Sequence, residues 1–130
     1  MGFFNTLASA ATKAKQSIDN AAENALKENW KKINRMNNVE LVNYIKSKGR
    51  ENLNNAIVKL AVVKLYQMDK HKATRAGDLL LTASEEEIQS FKTNILRFCK
   101  QDSIRLSTAT ELQDLKDYTQ RIIDKDFSLL

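Results

Sequence analysis

The chain contains no proline, three glycines, one cysteine and one histidine in 130 residues. Hairpins and sandwiches need turn residues at short intervals, and these are missing, as is a glycine-rich loop for a nucleotide phosphate. A single cysteine excludes an intrachain disulfide framework and makes a reducing compartment the simpler expectation. A single histidine leaves no second imidazole for the usual zinc pair. No run approaches the roughly 20 apolar residues needed to cross a bilayer. The start does not read as a secretory signal, because Phe3, Phe4 and Leu7 precede the first charged side chain, Lys13. The expected location is therefore cytoplasmic, in solution or peripherally at a membrane surface.

What remains is a globular composition, 42% hydrophobic and 28% charged, with long stretches uninterrupted by turn residues. This points to an all-α fold, a small helical bundle of about four to five helices with a long N-terminal amphipathic helix. Residues 3–36 carry that helix. At 100° per residue, Phe4, Leu7, Ala11, Ala14, Ile18, Ala22, Ala25, Ile33 and Met36 fall on one face. Large side chains cluster at Phe3, Phe4 and Leu7 and again at Leu26, Trp30 and Ile33, whereas the middle is mostly alanine, a strong helix former that buries little area. A stripe so long and thin asks for a partner. The natural division is an N-terminal arm, 1–36, and a compact bundle, 37–130, although the arm can equally serve as the first helix of the bundle.

Within 37–130 the expected helices follow from caps and stripes. Asn38 is a candidate cap for a helix containing Val39, Leu41, Val42, Tyr44 and Ile45, with Gly49 ending it in the left-handed conformation. The next helix starts near Arg50 or Glu51, runs to Met68 and is apolar around nearly its whole circumference, which marks it as central. A charged connection, Asp69 to Arg75, and a short helix or turn at Leu79–Leu81 follow. Ser84 and Glu87 have capping-box spacing before a helix reaching about Lys100, with Ile88, Phe91, Ile95, Phe98 and Cys99 on one face. Thr108 and Glu111 repeat that spacing before Leu112, Leu115, Tyr118, Ile122 and Ile123. The tail, with Phe127, Leu129 and Leu130, can fold back on the bundle.

The net charge of +5 is uneven: residues 1–65 hold 11 Lys or Arg against 5 acids, and residues 66–130 hold 10 against 11. A basic face of this kind attracts phosphate or simply keeps the protein soluble. The favoured function is a non-enzymatic interaction protein whose N-terminal helix mediates self-association or partner binding, in the cytoplasm or at an anionic membrane surface. Partner- or membrane-binding candidates are Phe3, Phe4, Leu7, Ile18, Leu26, Trp30 and Ile33. Phosphate- or headgroup-binding candidates are Lys13, Lys15, Lys31, Lys32, Arg35, Lys46, Lys48 and Arg50, with Lys27 on the same helix. Met1-Gly2-Phe3-Phe4-Asn5-Thr6 also fits the loose N-myristoylation template. The alternative is a basic nucleic-acid-binding domain using Lys31 to Arg50, with Trp30 and Tyr44 stacking on bases. Lysine outnumbers arginine 15 to 6, which does not favour bidentate base readout. No catalytic residue, metal or cofactor is expected: Cys99 lies on an apolar stripe, His71 sits among charged residues, and Glu85, Glu86 and Glu87 suit a helix start.

Overall fold

The computed structural model describes residues 21–50 and 55–125, which form helices joined by short turns and contain no strand. The candidates Phe3, Phe4, Leu7, Lys13, Lys15 and Ile18, the acylation template and the tail from Asp126 lie outside the described residues. So does Glu51, the expected start of the central helix.

The first helix, α1, covers residues 21–34 and turns at Arg35, where the Met36 amide donates to the Ile33 carbonyl at 3.0 Å. It ends before the apolar stripe does because Asn37, in an extended conformation, starts helix α2, Asn38–Gly49. Asn37 accepts from the Glu40 amide at 2.9 Å, and the Glu40 carboxylate accepts from the Asn37 amide at 3.2 Å. That reciprocal pair is a capping box. The cap is thus one residue earlier than expected, because only Asn37 has a carboxylate three residues ahead. Gly49 also departs from expectation: the helix continues through it, and Arg50 is still right-handed at φ −61. Leu41, Ile45 and Gly49, each four apart, form the buried row of α2. Gly49 serves as a side-chain-free contact there, not as a turn.

Helix α3, Ala56–Met68, begins at Asn55, whose side chain accepts from the Ile57 amide at 2.8 Å. It buries Val58, Leu60, Ala61, Val62, Val63, Leu65 and Tyr66, so its apolar circumference is covered by α2 and by the later helices. Asp69 then closes α3 through its amide to Leu65 at 2.7 Å and caps the next element through its side chain to the Lys72 amide at 3.1 Å. The expected charged connection is thus itself a helix, α4, Lys70–Thr74. Ala76, buried and at φ 48, reverses the chain into a 3-10 segment, Gly77–Thr82, in which Leu80 is buried and Leu81 is exposed.

Helix α5, Glu85–Cys99, carries the capping box expected for Ser84 and Glu87 and buries Phe91, Ile95, Phe98 and Cys99. A one-turn helix, α6, Asp102–Arg105, anticipated by no stripe, inserts Ile104 into the core. The last helix, α7, Gln113–Asp124, is entered through a 3-10 turn, Thr110–Leu112, and Thr108 is exposed and caps nothing. The second capping box therefore does not form. Here Ser107 accepts from the Ala109 amide at 3.2 Å, and that local turn displaces the helix start to Gln113. Arg105 locks α6 to α7 by donating to the Lys116 carbonyl at 2.9 Å, to Gln120 at 2.6 Å and to the Thr119 hydroxyl.

One continuous core joins these helices. It includes Trp30 and Ile33 of α1 beside Leu41 and Ile45 of α2, the buried face of α3, and Leu112, Leu115 and Ile122.

Candidate functional site

A recess runs along α1. Of about 500 Å³, it is lined by Lys27, Glu28, Trp30, Lys31, Asn34 and Arg35 of α1 and its turn, and by Glu111 from the turn before α7. Lys27, Lys31 and Arg35 are four residues apart, so they stack along one side of the helix with roughly 6 Å of rise per step. Helix α1 is held against the rest of the bundle by polar ties at both ends. Glu23 accepts from the Ser107 hydroxyl at 3.0 Å, Lys27 pairs with Glu111 at 3.8 Å, and Asn34 accepts from Lys64 at 2.8 Å.

The wall of the groove is set by Trp30, which is 2% exposed. Its ring meets Tyr118 edge to face, with centroids 5.9 Å apart and an angle of 72°. Tyr118 in turn lies under Lys64 at 5.4 Å and Arg121 at 5.6 Å. Three helices therefore converge on one aromatic ring. The indole N–H of Trp30 is buried without a hydrogen-bond partner among the described residues.

The basic candidates fall into two sets. Lys31 and Arg35 are exposed on the groove, and neither side chain has a hydrogen-bond or ion-pair partner among the described residues. Lys32 leans the other way, its ammonium 5.4 Å from the centre of the Tyr44 ring on α2. Tyr44 is half-buried, and desolvation raises its phenol pKa. Lys48 and Arg50 are exposed at the end of α2, and Lys46 is half-buried. Neither they nor Lys32 line the groove.

The apolar candidates on α1 are spent internally. Ile33 is fully buried, Trp30 nearly so, and Leu26 is half-buried against the core. The exposed apolar side chains of residues 21–34 are alanines only: Ala21, Ala22 and Ala25. Trp30 is therefore unavailable as a stacking platform or as an interfacial anchor.

The one cysteine and the one histidine lie on different helices. Cys99 is fully buried, and burial pushes its thiol pKa up to about 12, well away from a reactive thiolate. His71 is exposed on α4. Among the described residues no three His, Cys, Asp or Glu side chains are grouped to hold a metal, and no helix is long and apolar enough to cross a membrane. Sequence reasoning missed Glu111 as a groove residue, and its one signal, capping-box spacing with Thr108, pointed to a different role. Comparisons with known proteins return no matching family, no matching curated protein and no matching solved structure.

Proposed function

We propose that this chain is a non-enzymatic helical interaction protein that docks an acidic segment of a protein partner along α1. The observation that carries this reading is the cationic row Lys27, Lys31, Arg35 beside a concave groove, with Lys31 and Arg35 unpaired among the described residues. Carboxylates spaced one helical turn apart on a partner match such a row, and complementarity of this kind raises the association rate and sets the register. The mixed lining supports a polypeptide over a polyphosphate. Glu28 and Glu111 share the groove and repel a continuous run of phosphates, whereas an acidic protein segment can present neutral or basic side chains to them. A flat bilayer cannot enter a groove, and the described part of α1 offers it only alanines.

The test uses the full chain and a helical peptide that carries glutamate at every fourth residue with glutamine and lysine between. Saturable binding that weakens about tenfold or more in Lys31→Glu/Arg35→Glu, and is unchanged in the control Arg97→Glu on α5, supports the reading. Sedimentation of the same proteins across concentration reads self-association through the same surface. Absence of binding, or equal binding by the charge-reversed chain, overturns it. Retention of a single-stranded oligonucleotide or of phosphatidylserine vesicles in place of the peptide, lost on the same reversal, replaces the acidic protein by nucleic acid or lipid.

A further inference from the structure

A second cavity, of about 230 Å³, lies between α4 and the first turns of α5, on residues separate from the α1 groove. His71 and Arg75 reach it from α4 and its closing turn, four residues apart, and Glu85, Ile88 and Lys92 reach it from one face of α5. Ile88 is its one aliphatic side chain. The volume falls below the roughly 300–1,000 Å³ of common ligand pockets, so it takes a small polar group and not a nucleotide.

The charges around this cavity are arranged unusually. Arg75 and Lys92 present two cations and Glu85 one carboxylate to the same space, yet none of these side chains makes a hydrogen bond or ion pair among the described residues. Arg75 and Glu85 are exposed and Lys92 half-buried, so water can solvate each of them, and the lining favours a ligand that meets both signs at once over one that meets a single sign. We propose that this ligand is an oxyanion that keeps a proton, of the inorganic phosphate type. Its unprotonated oxygens accept from the Arg75 guanidinium and the Lys92 ammonium, and its P–OH donates to the Glu85 carboxylate, with the His71 imidazole at the rim. Inorganic phosphate retains at least one proton at neutral pH, and sulfate, of the same size and shape, retains none. Sulfate therefore meets Glu85 with an unprotonated oxygen and is repelled. The site is a phosphate site that discriminates by protonation and not only by charge.

Amide chemical shifts of the full chain in chloride buffer, titrated with inorganic phosphate or with sulfate, test this. The expected result is saturable shifts around Arg75, Glu85 and Lys92 with phosphate, and sulfate weaker by about tenfold or more, the size of one charge-assisted hydrogen bond. Arg75→Gln and Lys92→Gln each weaken phosphate by a similar factor, and Arg97→Gln on the same helix leaves it unchanged. Glu85→Gln is decisive, because its amide donates to either anion: sulfate then approaches phosphate. Arg75, Glu85 and Arg97 are exposed and Lys92 is half-buried, and helical content by circular dichroism checks that the variants fold. Equal binding of the two anions by the unaltered chain, shifts that never saturate, or a phosphate-to-sulfate ratio unmoved by Glu85→Gln overturns the proposal.

Discussion

Replacing Trp30 by alanine separates a docking helix from a core helix. Trp30 is 2% exposed and packs on Tyr118 and the buried residues of α3 and α7. Truncating a tryptophan in such a site costs about 3–5 kcal/mol, the lost transfer energy plus the cavity left behind. With a typical urea slope of about 1–3 kcal/mol/M, the midpoint falls by roughly 2 M at constant slope. For a domain whose whole stability is on the order of 5–15 kcal/mol, that is a severe loss. The assay is urea unfolding followed by far-ultraviolet circular dichroism, since the substitution removes the only tryptophan. Trp30→Phe refines the reasoning. It keeps most of the ring and removes an indole N–H that is buried without a hydrogen-bond partner among the described residues. The desolvation cost of that donor, about 1–3 kcal/mol, is recovered, so Phe loses much less than the change in volume suggests. A midpoint in Trp30→Ala within experimental error of the unaltered chain would falsify the placement of α1 in the core. A Trp30→Phe protein as damaged as Trp30→Ala refutes the account of the orphan donor.

Other consequences follow from particular residues. Ser84→Ala removes a formed capping box and lowers stability by about 1 kcal/mol, whereas Thr108→Ala, at an exposed position that caps nothing, is neutral in the same thermal melt. Ala76 holds a left-handed backbone at φ 48 with a buried methyl, so Ala76→Gly trades about 1 kcal/mol of strain relief against lost burial and a floppier unfolded chain. Its melting temperature stays close to the original, while Ala76→Val, β-branched in the same conformation, falls by several degrees. Cys99 resists thiol reagents in the native protein and reacts fully in denaturant. Its folded pKa lies above the unfolded value, so its contribution to stability is complete below about pH 8.5 and is lost as pH rises toward its folded value of about 12. Urea midpoints measured from pH 8 upward read that decline.

Where local chemistry decides the structure, the residues announce it. The box Ser84/Glu87 and the stripe Phe91, Ile95, Phe98 mark α5 with nothing else needed. The all-round apolar run of α3 likewise marks a central helix. Where two local signals compete, spacing alone is insufficient: Asn37 and Asn38 are adjacent amides, and only the first finds a carboxylate three residues on. Thr108 and Glu111 have the right spacing, but Ser107 engages the backbone first. Gly49 and Ala76 show tertiary context overriding propensity, since the glycine is helical and the alanine takes the left-handed turn. The groove was half legible. Lys31 and Arg35 stand out by charge, but their neighbour Glu111 is distant in sequence and joins them only because Trp30 docks on Tyr118. The cavity at α4 and α5 is not legible in the sequence, because the charged run Asp69 to Arg75 carries no apolar stripe to mark a helix with His71 and Arg75 along one side.

The burial of Trp30 gives the molecule an internal optical reporter. This residue is the only tryptophan, and it both belongs to the core and lines the α1 groove. Its emission therefore answers two questions with different signatures. Unfolding exposes the indole to water and shifts the emission to longer wavelength, whereas an occupant of the groove meets an indole already shielded from solvent and changes its intensity, through the charged groups brought near the ring, without that shift. Docking and stability can thus be followed on unlabelled protein in a single cuvette.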